Sequence, residues 1–298
     1  MKSPGCLGDF VIHYRVGWKV MMDISHNKFV TPKILSGSTL KIIATIAMVA
    51  NHVGIIILGA ITELIWFPMR INGEITPEQY EQINCFIRLT LYNMGNLAFP
   101  LFCLLVSEGY RYTHNREKYI FRMLLFAIIS ELPFDIGFFS ALSTAAKTFP
   151  FYWNHQNVFF TYFLSLVCLY SLDKLKTNYA GYHHKINLFP TLLSIICVSI
   201  IAFIAEFIKC DYGAMGVLFV VFFYLFRNRN ICQAGILLIV YIIMTGNQPN
   251  LFLVLAALII LLYNGRKGRE MNKYFFYLFY PVHIVVLYSF TLILRMLV

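Results

Sequence analysis

A chain of 298 residues with 59% hydrophobic residues, 13% charged residues and a mean hydropathy of +0.69 is not an ordinary soluble domain. Such a domain carries roughly 25% charged residues. The formal charge of +10 invites a nucleic-acid reading, but the placement of the cations, set out below, excludes it.

Residues 1–37 are basic and aromatic, with Phe10, Tyr14, Trp18 and Lys19, and no apolar stretch before Pro32 marks a cleavable signal. They read either as an amphipathic segment on the inner leaflet or as a tail upstream of a start at Met21 or Met22. Residues 38–298 form the second region, an all-α transmembrane bundle of about nine helices. The apolar runs cover 39–61, 86–107, 119–139, 157–172, 188–208, 213–226, 231–245, 251–263 and 274–296. Within lipid a helix satisfies its own backbone, so runs of this kind recur as whole segments. No alternating ten-residue pattern of a β-barrel is visible. Three of the last four runs are short, and one pair of them is compatible with a re-entrant hairpin.

With the N-terminus inside, the inner loops hold 19 of the 24 Lys and Arg residues. The outer side keeps Arg70, Arg88, Lys147, Lys209 and Arg295. That asymmetry is the positive-inside signature of membrane topology. It expects an integral membrane protein in contact with lipid, with its N-terminus in the cytoplasm, no nucleic acid as partner and self-association left open. The seven cysteines have no metal spacing, and Cys85 and Cys210 both fall on the outer side, where a disulfide between them stays open.

Ionisable residues inside a span mark pathways, sites or paired contacts. His52 lies eleven residues after Lys41, about 16 Å along a helix, near mid-membrane if Lys41 sits at the inner surface. A histidine at that depth suits general-base chemistry, or else a structural hydrogen bond between helices. His283 follows Tyr280-Pro281 at similar depth. Glu131 and Asp135 share a helix face, with Pro133 between them expected to kink or end the regular stretch. They suit a cationic acceptor or a proton relay, or pairing with Arg88 or Lys209. Glu108 lies within the second run. Gln156-Asn157 and Asp211-Tyr212-Gly213 open two later spans on the outer side, where Asp211 also reads as an ordinary cap. Arg111, Arg116, Lys118 and Arg122 form the densest inner cluster, suited to phosphates or to membrane anchoring. His183-His184 reads as a solvated inner loop, and no nucleotide-loop, metalloprotease or nucleophile-elbow motif occurs.

The chain resembles the TraX family, named for the conjugation protein that acetylates the N-terminus of F-pilin. The stretches that carry the resemblance run from Leu40-Lys41-Ile42-Ile43 to Asn51-His52-Val53-Gly54, then 95–102, Glu108-Gly109-Tyr110 and 130–135, and close with Gln156-Asn157, Asp211-Tyr212-Gly213 and Tyr280-Pro281-Val282-His283. A distant likeness extends to the transmembrane acyltransferases, including the acyltransferase-3 and heparan-glucosaminide N-acetyltransferase groups. The resemblance implies an acetyl group taken from cytosolic acetyl-CoA and delivered to an acceptor at the outer face: a protein N-terminus, a glycan or a lipid-linked sugar. It implies His52 as general base or transient acyl carrier, with Asn51, Asp135 and Glu131 at the catalytic centre. Lys41, Arg111, Arg116 and Arg122 would meet the coenzyme A phosphates. Gln156, Asn157, Asp211, Tyr212, His283 and Glu108 would shape the acceptor side, and no metal is implied. The family usually carries Asp-His where this chain has Asn51-His52, which removes a charge that would stabilise an imidazolium. Two further functions fit the same residues: a transporter or channel, and a non-catalytic scaffold for envelope or pilus assembly.

Overall fold

The computed structural model describes residues 34–179, 188–245, 250–270 and 272–298, so residues 1–33 of the basic extension and His183-His184 lie outside it. The helices in order are α1 (Gly37–Ile71), α2 (Pro77–Thr90), α3 (Gly95–Tyr112), α4 (Arg116–Ala145) and α5 (Val158–Asn178). They continue with α6 (Leu188–Phe207), α7 (Gly213–Leu225), α8 (Asn230–Thr245), α9 (Leu251–Leu262) and α10 (Lys273–Leu297). No strand occurs among the described residues, only two isolated bridges, Leu35 with Tyr263 and Gln156 with Cys210.

Six helical segments are long and apolar enough to cross a bilayer: α1, α2–α3 taken together, α4, α5, α6 and α10. The helices α7, α8 and α9 are apolar but shorter. At 12 to 16 residues they reach about 18–24 Å, less than the roughly 30 Å of a hydrocarbon core. Sequence reading begins the second span at residue 86, inside α2. In the structure α2 is a separate helix started by a Thr76/Gln79 capping box, and a short 3-10 turn at Tyr92–Met94 divides it from α3.

Hydrogen bonds tie the helix ends into two layers. In one, Gly37 N–H donates to Arg266 O (2.8 Å), Tyr112 OH to Gly265 O (3.0 Å) and Asn230 Nδ2 to Tyr263 O (2.6 Å). Asp173 at the end of α5 joins them, accepting Tyr110 and Tyr224 and pairing with Arg116 at 2.7 Å. This is the basic end. In the other layer, Asn250 Nδ2 donates to Asn93 Oδ1 (3.0 Å), Asp211 N–H donates to Gln156 O (2.8 Å), and Arg295 faces Glu63 at 3.6 Å.

The core forms where α3 meets α1, α7 and α9, with Leu40, Ala44, Leu101, Leu104 and Val217 fully buried. Half of the most apolar window of α2–α3 is buried, against 17% for α6, which leaves α3 central and α6 peripheral. α10 packs on α4, and there Gly137 is required: a Cβ on it would strike Ile284. Pro133 lies inside α4 without ending it. The non-helical residue is Phe139 (φ −127°, ψ 16°), whose ring stacks on Tyr152 at 4.7 Å. Immediately after His52 the hydrogen-bond register of α1 widens into a π segment, Val53–Leu58, and again at Thr62–Trp66. Such bulges frequently accompany functional sites.

Candidate active site

One face of α1 carries Lys41, Thr45, Met48 and His52, spaced by four, three and four residues, so they align along the helix. The first three line a cavity of about 780 Å³ toward the basic end, together with Arg122, Lys267 and Tyr277. Met48, Asn51, His52 and Ile55 line a second cavity of about 380 Å³ toward the opposite end, together with His155, Asp211 and Tyr212. Met48, Phe102, Val158, Tyr162 and Tyr280 belong to both linings and form the wall between them.

His52 is buried at 8% exposure on the side of the second cavity. The Phe138 ring meets it edge-on at 5.0 Å, and the His283 ring lies nearly parallel at 4.9 Å. His52 Nδ1 and His283 Nε2 are 2.7 Å apart, and His283 Nδ1 lies 2.8 Å from Phe279 O. His283, expected on the acceptor side, lines neither cavity and meets His52 through Nε2.

The larger cavity is cationic. The Lys41 ammonium lies 5.4 Å over the Phe276 ring and, among the described residues, pairs with no carboxylate. Arg122 Nε and Thr45 Oγ1 are buried without a hydrogen-bond partner. Lys267 pairs with the exposed Glu270 at 2.9 Å. The other two arginines expected at the donor are occupied elsewhere. Arg111 reaches Asn228 Oδ1 (3.1 Å) and Glu108 (3.8 Å), while Arg116 holds Asp173 and covers the Tyr110 ring at 4.7 Å. Neither lines either of these two cavities.

The residues expected at the catalytic centre and at the acceptor separate into two groups. Asn51, Asp211 and Tyr212 line the second cavity with His52. Tyr212 adopts a left-handed backbone (φ 60°) and stacks on Phe99 at 3.5 Å, and the Asp211 carbonyl accepts the Thr161 hydroxyl. Glu131, Asp135, Gln156 and Asn157 line neither cavity. Asn157 caps α5 by accepting from Phe159 N–H (3.0 Å), and its amide donates to Ala127 O (2.8 Å) and to Glu131. Glu131 is therefore held by Asn157, not by Arg88 or Lys209; Lys209 instead donates to Asn154 Oδ1 at 2.9 Å. Asp135 accepts Tyr152 N–H at 2.9 Å. Glu108 sits at the basic end, accepting the Tyr263 hydroxyl at 3.2 Å. Cys85 and Cys210 are both free. Burial pushes the Cys210 thiol up to about 12, so it stays protonated near neutral pH.

His155 and Lys267 enter the site without having been singled out in the sequence. His155 Nε2 lies 3.5 Å from Asp211, placed there by the bridge between Gln156 and Cys210. The signal available for it was adjacency to Gln156-Asn157. Lys267 appeared only as one more inner-loop cation. No cluster of three or more His, Cys, Asp or Glu side chains suited to a metal occurs among the described residues.

A helical integral membrane protein with a buried histidine pair beside the wall of two cavities, one of them cationic, is the class that fold and site define. The sequence profile of the family described as TraX protein matches residues 36–291, and the chain belongs to that family. It is also similar to a Dichelobacter nodosus protein described as probable fimbrial assembly protein FimC, serogroup H1. That protein is 28% identical over 212 residues, covering 66% of this chain and 80% of the relative. No solved structure matches the chain.

Proposed function

We propose that this protein is a transmembrane acyltransferase that takes an acetyl group from acetyl-CoA at the basic end and passes it to an amine or hydroxyl acceptor at the other. The carrying observation is His52 beside a shared wall, with a cavity holding Lys41, Arg122 and Lys267 on one side and a smaller cavity reached by Asn51, His155 and Asp211 on the other. A volume of about 780 Å³ falls within the range of small-molecule sites, and Lys41 and Arg122, which pair with no carboxylate among the described residues, suit the phosphates of a coenzyme. The basic end then faces the cytoplasm of a bacterial inner membrane, as the positive-inside rule requires.

In the reaction the acceptor nitrogen or oxygen attacks the thioester carbonyl carbon. The His52 imidazole takes the proton that the acceptor sheds as the new bond forms. The carbon–sulfur bond then breaks, and the imidazolium returns that proton to the departing sulfur, giving free coenzyme A. The fimbrial name of the relative directs attention first to a pilin-type N-terminus as acceptor, before a glycan or lipid-linked sugar.

The test uses purified protein in proteoliposomes, with radiolabelled acetyl-CoA and a short peptide bearing a free N-terminus, an aminosugar or an alcohol as probe acceptors. Release of coenzyme A thiol and transfer of label are expected from the wild type, with His52→Ala slower by about 100-fold or more. Full turnover in that variant would remove the proposed base. Flux of an added solute without any coenzyme A dependence would favour a transporter.

A further inference from the structure

The two histidines fix each other's protons. A backbone carbonyl only accepts, so the 2.8 Å contact between His283 Nδ1 and Phe279 O places the His283 proton on Nδ1. In neutral His283 the lone pair is then at Nε2. That nitrogen is 2.7 Å from His52 Nδ1, which must supply the proton of the second bond. His52 is thereby left with its lone pair on Nε2. A neutral imidazole can be protonated at either nitrogen, and the partner of one nitrogen decides which serves as base.

We infer that His283 is the positioning residue of this site, holding His52 as the Nδ1–H tautomer with Nε2 as its basic nitrogen. This rests on the acyl-transfer reading only for its consequence; the tautomer is a property of the resting protein. Packing supports the assignment. His283 is 9% exposed, lines neither cavity, and has the Phe279 ring nearly parallel to its own at 5.1 Å, so its ring is held by packing as well as by its hydrogen bonds. A chain of imidazole, imidazole and carbonyl also suits this depth, because it orients a base without burying a carboxylate, whose desolvation in an apolar interior costs many kcal/mol.

The experiment labels histidine imidazole nitrogens with 15N and records solid-state NMR of the protein in lipid bilayers, with His52 assigned from its absence in His52→Phe. The wild type is expected to show His52 protonated at Nδ1 and bare at Nε2. His283→Gln offers a carbonyl oxygen near the position of the lost Nε2 and should keep that tautomer, whereas His283→Phe should lose it. Turnover of acetyl-CoA should follow: His283→Phe slower by about 100-fold in kcat with KM for acetyl-CoA nearly unchanged, and His283→Gln partly rescued. A wild-type His52 protonated at Nε2 overturns the inference, as does a His283→Phe protein that keeps the Nδ1–H form or wild-type turnover. If His283→Phe does not fold, the wild-type and His283→Gln spectra still decide. Absence of acetyl-CoA turnover in the wild type would fell the acyltransferase reading alone and leave the tautomer question to the spectra.

Discussion

Asn51 and His52 are sequence neighbours whose side chains meet different partners. Asn51 Nδ2 donates to Tyr92 O at 2.7 Å and to Leu91 O at 3.4 Å, pinning the 3-10 turn between α2 and α3 against α1. The sequence reading treats this Asn as a weakened substitute for an acid that would stabilise His52. The structure instead gives it a task that an ionised Asp cannot perform, since carbonyl oxygens need a donor. Asn51→Asp should therefore lower stability by about 1–3 kcal/mol, the cost of leaving such groups unpaired. A thermal midpoint in detergent equal to that of the wild type would show the two bonds to be dispensable. The cations divide in the same way. Lys41→Ala and Arg122→Ala should each weaken acetyl-CoA binding roughly 10- to 100-fold, the worth of a hydrogen bond to a charged group. Arg116→Ala should leave that affinity unchanged, because Arg116 is engaged by Asp173 at 2.7 Å. Isothermal titration with acetyl-CoA separates these outcomes. Residue type and inner-loop position were legible in the sequence, but which of four neighbouring cations faced a cavity depended on partners far away in the chain.

At the scale of elements, hydropathy located the apolar helices because burial in lipid is a property of local composition. It did not locate departures from regular helix, which come from packing. Pro133 was the expected place for the helix to end, yet the helix passes through it and departs from helical geometry at Phe139, where that ring meets Tyr152 and His155 (5.3 Å). The π segment after His52 has no signature in Val53-Gly54-Ile55-Ile56, and Glu131 and Asp135 gave no sign that their partners would be the backbone and side chain of the 152–157 loop. Gly137 shows how much the site depends on helix spacing. Its missing Cβ leaves room for Ile284, the neighbour of His283, and Ile56 would stand only 3.5 Å from that Cβ. Gly137→Val should force α10 away from α4, costing about 1–3 kcal/mol in overpacking and pulling His283 from His52. Thermal stability and acetyl-CoA turnover should fall together. Gly235→Ala is the control: a Cβ there meets nothing within 4 Å, and the change should raise helix stability slightly, by about 1 kcal/mol.

At the scale of the molecule, the two end layers give the nine apolar helices of the sequence reading a common geometry, although only six segments have the length to cross a bilayer unaided. The short α7 runs from Tyr212 beside Phe99 to Tyr224 beside Asp173, thus from one layer to the other. α9 does the same, from Asn250 at Asn93 to Tyr263 at Glu108. Helices of about 20 Å joining layers set by longer neighbours imply that the bilayer thins beside them or that their ends are covered by the loops of the longer helices. The basic layer gathers Arg266, Arg111 and Arg116, while the opposite layer holds Glu63, Asp211 and His155. Positive-inside topology then predicts which surface each side of the membrane can reach. In a background lacking native cysteines, Arg269→Cys and Asn154→Cys introduce thiols at exposed positions in the two layers. A membrane-impermeant maleimide added to intact cells should modify Asn154→Cys and spare Arg269→Cys, and inverted vesicles should show the opposite. The reverse pattern would turn the protein over in the membrane and put the cationic cavity on the side where no cytosolic thioester could enter it.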